Sequence, residues 1–117
     1  MGVQLDHFTV VLLILRPDAP QLDEDSAARL QAAHMGHLAD LHEAGHLIAA
    51  GPLADPMFRG LSILNVEPER ARELKEKDPA VLAGRFSVQV IPWMVPRGAV
   101  RYARTKFPRS LNDLAEE

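Results

Sequence analysis

Two hydrophobic regimes alternate along the chain. The run Phe8-Thr9-Val10-Val11-Leu12-Leu13-Ile14-Leu15 is rich in β-branched residues and apolar at odd and even positions alike. That is the pattern of a central strand covered on both faces. Arg16-Pro17-Asp18-Ala19-Pro20 breaks it, and a helical stretch follows from about Asp23 to Ala44. Asp23, Glu24 and Asp25 suit its positive end, and Gly45 supplies its stop. Leu47-Ile48-Ala49-Ala50 predicts a short strand ended by Gly51-Pro52, with Leu53-Ala54-Asp55-Pro56 as a loop. A third strand is expected near Gly60 to Val66. Pro68 fits the first turn of a second helix of about ten residues, in which Ala71, Leu74 and Asp78 share a face and Asp78-Pro79 marks the end. The arginines and lysines between Glu67 and Lys77 alternate with glutamates and read as a solvated helix face. Phe86-Ser87-Val88-Gln89-Val90-Ile91 is the last predicted strand, and Pro92 directly after it favours a sheet edge.

The order βαββαβ predicts a ferredoxin-like α+β fold, with two helices on one face of a four-stranded antiparallel sheet. The opposite face would then be bare, although the first strand is apolar on both sides and Leu64, Ile91 and Trp93 add further apolar groups. An exposed patch of that kind seeks cover. A second copy is the simplest cover, because a two-fold contact buries the patch on both protomers at once, and a homodimer is expected. Residues 1–96 form the predicted domain and 97–117 a C-terminal extension. The large apolar residues of that extension are chiefly Val100, Tyr102, Phe107, Leu111 and Leu114, which are expected to cover part of the bare face or to reach the partner.

A chain of 117 residues has room for one core. Hydrophobic residues at 47% and charged residues at 25% give the balance of a folded globular protein. A formal charge of -3 supplies no basic field, which argues against nucleic acid and anionic membrane and for a small-molecule ligand. The absence of cysteine excludes disulfides, thiolate metal sites and a cysteine nucleophile, and fits a cytoplasmic setting. Phe8 to Leu15 is too short to span a bilayer and follows Asp6 and His7 where a secretory signal has basic residues. Asp6 also stands where a myristoylation motif after Met1-Gly2 needs Ser or Thr.

The chemistry-bearing candidates are few. Leu30, His34, Leu38 and Leu41 fall at helical spacing, so His34 interrupts a core-facing stripe. A buried imidazole needs a partner and is then either a general base or a satisfied structural histidine. Asp78 has the matching inward phase on the second helix, and contact with His34 would orient the ring and raise its basicity. Its bland reading is a helix-terminal cap. Asp55, in the loop after Gly51-Pro52, is placed by the topology near the same mouth, as a substrate-binding group or a turn residue. His34, His37, His42 and His46 resemble a metal cluster by spacing, but their phases diverge and there is no HExxH, so no metal and no cofactor are expected.

The stretch from His34 to Asp55, with a histidine eleven residues before Gly45 and then Gly51-Pro52-Leu53, resembles the YciI-like family. Lys77-Asp78-Pro79-Ala80-Val81-Leu82-Ala83-Gly84 is similar to the Asp-Pro segment before that family's last strand. With Val88-Gln89-Val90-Ile91-Pro92-Trp93 the resemblance covers roughly residues 7 to 95. It implies a ferredoxin-like fold assembled as a dimeric α+β barrel, with a His–Asp active site at His34 and Asp78. Relatives include lyases and dehydrochlorinases acting on ring compounds. The implied activity is a cofactor-independent lyase or isomerase in which His34 moves a proton, Asp78 orients it and Asp55 helps bind a small organic substrate. The alternative is a non-catalytic dimer that binds a ligand or partner. The longer first connection, Arg16 to Ala28, and the extension after Pro96 depart from the family pattern.

Overall fold

The computed structural model describes residues 2–115. Strand β1 (Leu5–Leu15) leads into helix α1 (Glu24–Glu43), then β2 (Leu47–Pro52) and β3 (Phe58–Leu64). Helix α2 (Pro68–Glu76), a single turn α3 (Pro79–Leu82), strand β4 (Phe86–Pro96) and a short 3₁₀ turn (Leu111–Asp113) complete the order. The four strands form one antiparallel sheet in the order β2-β3-β1-β4. This is the expected ferredoxin-like α+β arrangement. β4 lies at an edge, where Pro92 within the strand costs little. Among the described residues no helix is long and apolar enough to cross a membrane.

Each boundary has a local cause. The Asp23 carboxylate accepts the Ser26 amide at 2.7 Å and starts α1. Gly45, at φ +85°, ends it in the left-handed conformation that other residues resist. Pro68 opens α2 and Pro79 opens α3, each in a first turn that lacks a partner for an N–H in any case.

Alternation along β1 sets the two faces. Thr9, Val11 and Leu13 are buried, and Val11 and Leu13 meet the helices in two adjoining clusters. Val11 packs with Leu41 of α1, Leu47, Leu64, and Ala71 and Leu74 of α2. Leu13 packs with Ala80 of α3 and Phe86. All three α-helices therefore cover the same side. The intervening Phe8, Val10, Leu12 and Ile14 face the other way and are only half-buried.

Four expectations are corrected. Leu64 is fully buried against Val11 on the helix side, and its neighbour Ile63, paired with Val10, takes the outer face. β4 continues five residues beyond Ile91, held by an unbroken ladder to β1. Asp78 does not ride on the second helix: α2 stops at Glu76, and Asp78 caps the separate turn α3. The C-terminal extension runs along α1, not over the outer face. Its Phe107 joins the cluster around Leu41, and Arg109 pairs with Asp40 and Glu43 at 2.9 and 3.1 Å. Glu116 and Glu117 of that extension lie outside the described residues.

Candidate active site

His34 and Asp78 meet. His34 Nδ1 lies 2.7 Å from Asp78 Oδ2, joining α1 to the turn before α3. An ionised carboxylate can only accept, so Nδ1–H is the donor, and in the neutral ring this tautomer places the lone pair on Nε2. Asp78 is fully buried, whereas the His34 side chain keeps 15% of its surface exposed. The carboxylate's other oxygen accepts the Ala80 amide at 2.9 Å, which fixes Asp78 from the side away from His34. Both roles weighed for Asp78, helix cap and partner of His34, are present in the same carboxylate.

A third charge stands behind this pair. Lys75 is 0% exposed, and its Nζ lies 3.6 Å from Asp78 Oδ2, with no hydrogen-bond partner among the described residues. This corrects the reading of the α2 charges as uniformly solvated. Ala71, Leu74 and Lys75 are spaced i, i+3 and i+4, so Lys75 lies on the stripe that enters the core. Burial pulls the Lys75 ammonium below its ordinary range, and the charge of Asp78 opposes that pull. For Asp78, burial raises the carboxyl's pKa, but the hydrogen bond and charge of His34, the charge of Lys75 and the Ala80 amide together outweigh it. The carboxyl ends below its ordinary range. His37, one turn after His34, is lowered chiefly by burial, and its Nε2 has no partner among the described residues. Asp78 is thus held as the anion that orients His34.

His34 borders a cavity of about 360 Å³ between α1, the sheet and the C-terminal segment. Leu13, Met35 and Phe86 supply apolar wall, and Gln31 and Ser62 add neutral polar groups. Phe107 and Leu111 line it on the C-terminal side. Asp55 is elsewhere. Its carboxylate accepts the Met57 and Phe58 amides at 2.9 and 2.7 Å, and these bonds hold it below the ordinary range as the anchor of the β2–β3 turn. It borders a separate shallow depression with Leu12, on the sheet face opposite Leu13.

The histidine that the spacing argument set aside has a structural task. His42 is buried, with Nδ1–H donating to the Leu47 carbonyl at 2.7 Å and Nε2 accepting the Thr105 amide at 2.9 Å. Its ring stacks on Phe107 and Tyr102, with centroids 4.2 and 4.9 Å apart. Met35, Ala39 and His42, at i, i+4 and i+7, were the legible sign of this buried stripe. Among the described residues no three His, Asp or Glu side chains converge as metal ligands would.

A family model described as the YCII-related domain matches residues 10–94, more than half of the chain, and the chain belongs to that family. No curated protein matches it. A similar solved structure is the 5-chloro-2-hydroxyhydroquinone dehydrochlorinase of Burkholderia phenoliruptrix AC1100, in complex with 2,5-dihydroxybenzoquinone. The two share 23% identity and a TM-score of 0.55, over 74% of this chain and 92% of that one. At that distance the likeness concerns the fold.

Proposed function

We propose that this member of the YCII-related family is a small cofactor-independent enzyme of lyase or isomerase type. His34 Nε2 is its general base, and the cavity beside it is its substrate site. The observation that carries this reading is the 2.7 Å contact between His34 Nδ1 and a buried carboxylate, in a histidine that itself borders the cavity. Nε2 takes a proton from a substrate carbon, and the imidazolium so formed is stabilised by Asp78. The C–H electron pair passes toward an electron-withdrawing oxygen of the substrate. It is then released by expelling a leaving group from the adjacent carbon, or by collecting a proton at another carbon. The fold-related dehydrochlorinase, solved with a quinone, makes hydroxylated ring compounds the first substrates to try.

Solvent-deuterium incorporation into a panel of such compounds, followed by NMR, tests this whatever the product of the full reaction is. His34→Ala and Asp78→Asn are expected to lower exchange about a hundredfold while the protein stays folded. Exchange that is equal in His34→Ala and wild type would sink the proposal. The second reading, a non-catalytic ligand-binding dimer, is favoured by one observation: the Asp78 carboxylate also caps α3. On that reading His34→Ala costs stability and leaves ligand affinity unchanged.

The proposed assembly is a homodimer through the outer sheet face, where Phe8, Val10, Leu12 and Ile14 align with Ile63, Ile91 and Trp93 across the ladders. Facing sheets would give the dimeric α+β barrel and remove a hydrophobic surface from water in a cytoplasmic protein. Val10→Lys, at the centre of that face, is expected to yield monomers in sedimentation velocity. A monomeric wild type refutes the assembly.

A further inference from the structure

Two arginines that the fold leaves, among the described residues, without a carboxylate within 4 Å line the cavity beside His34. Arg59 on β3 and Arg85 at the start of β4 belong to the strands that flank β1, and both border the cavity. Arg16, Arg70, Arg97 and Arg109 each have a carboxylate within 4 Å, whereas among the described residues Arg59 and Arg85 have none. A guanidinium stays charged under all ordinary conditions and presents five donors. Arg85 is also positioned: its Cζ lies 5.0 Å from the centroid of the Phe86 ring, and that ring lies 6.4 Å from the ring of His34.

The remainder of the lining does not cancel this charge. Among the described residues no carboxylate borders the cavity. Asp78, behind His34, is fully buried and engaged with His34, Lys75 and the Ala80 amide. Asp55 feels the charge of Arg59 but forms no ion pair with it within 4 Å; its carboxylate accepts the amides of its own turn and borders the separate depression. Apolar walls at Leu13, Phe86 and Phe107 lower the local dielectric beside the two half-buried arginines and so strengthen their field. The volume, about 360 Å³, is at the small end for ligand sites and suits a single ring in preference to a nucleotide or peptide.

From this arrangement we infer that the site selects a small organic anion: a ring-sized apolar body carrying one carboxylate or an oxyanion of equivalent charge. The charged group sits on Arg59 and Arg85, and the body lies against Phe86 and Phe107. This deepens the reading of the cavity as a substrate site and rests on it. The same arginines would meet negative charge that builds on a substrate oxygen when His34 removes a proton.

Benzoate and its neutral near-isostere benzamide test the charge preference directly. Their binding is followed by two-dimensional amide NMR of the full chain, in wild type, Arg59→Gln, Arg85→Gln and His34→Ala. Benzoate is expected to shift the Ser62 and Phe86 amides saturably and to bind at least about tenfold tighter than benzamide, since a charged hydrogen bond is worth that factor. Each Arg→Gln change is expected to cost benzoate about tenfold and leave benzamide unmoved. The double Arg59→Lys, Arg85→Lys variant keeps the preference, which separates lost charge from a lost fold. Equal binding of the two probes, no shift at the cavity, or benzoate affinity unchanged in both Arg→Gln variants overturns the inference. Turnover is read separately. Benzoate binding that depends on the arginines, with proton exchange indifferent to His34→Ala, refutes the catalytic reading and leaves the anion site standing. Exchange confined to neutral compounds does the reverse.

Discussion

Asp78→Asn changes one charge in the buried network and almost nothing in shape, so its consequences can be worked through. The asparagine oxygen still accepts the Ala80 amide, so the start of α3 is kept. Two interactions are lost: the acceptor for His34 Nδ1–H at 2.7 Å, and the counter-charge of Lys75, whose Nζ has no hydrogen bond among the described residues. A charged hydrogen bond contributes about 1.5–3 kcal/mol, and breaking a buried pair costs about 3–5 kcal/mol. These overlap in one carboxylate, which gives an expected loss of about 3 kcal/mol near neutral pH.

The pH dependence identifies the cause. In the wild type Asp78 titrates below its unfolded value of 3.8, so its contribution is complete above that value and is lost as pH falls through the folded pKa. The gap between wild type and variant should close in acid. Lys75 is already below its unfolded value of 10.5, and without Asp78 burial lowers it further. The unfolded chain then binds a proton that the native variant lacks over a wider window. The variant gains stability relative to the wild type as pH rises through that window, and the gap narrows in alkali as well. Urea unfolding read by the fluorescence of Trp93, at fixed protein concentration from about pH 3 to about pH 10, measures this curve. A gap below about 1 kcal/mol at neutrality, or one that is flat across pH, refutes the account of the network.

The other predictions concern single positions. His42→Ala removes the ring between Tyr102 and Phe107 and strands the Thr105 amide, and is expected to cost about 2–3 kcal/mol. Trypsin should then cut at Arg101, Arg104 and Lys106 sooner than in the wild type, and identical digestion patterns would contradict the clamp. Gly45→Ala meets no atom within 4 Å, so its cost is conformational alone, about 1 kcal/mol from the φ of +85°, measurable as a lowered Tm. Asp23→Ala removes the acceptor of the Ser26 amide and should cost about 1 kcal/mol in the same assay.

The sequence pattern carried the element order, the edge position of the last strand and the His34–Asp78 contact, because each follows from local signals such as Gly45, Pro68 and Pro79 joined by a topology with few alternatives. It was less informative where one position serves two trends. Leu64 sits on a strand whose faces are both apolar, so alternation could not say which way it points. Lys75 stood in a run of alternating charges that is solvated except at the one position sharing the face of Ala71 and Leu74. Asp55 and the cavity lie on opposite sheet faces, a relation fixed by the ladder between β1 and β3 and by nothing within the loop itself.

The proposed base and part of its cavity wall come from different parts of this chain. His34 and Asp78 lie within the segment that matches the YCII-related model, and so do Arg59 and Arg85. One side of the cavity, however, is lined by Phe107 and Leu111, which lie beyond residue 94 in a segment fastened to α1 through His42 and Arg109. A change in that segment reshapes the space beside His34 without touching His34 or Asp78. For that reason, transfer of a substrate from the dehydrochlorinase to this protein has to take account of the C-terminal residues that line the cavity as well as of His34 and Asp78.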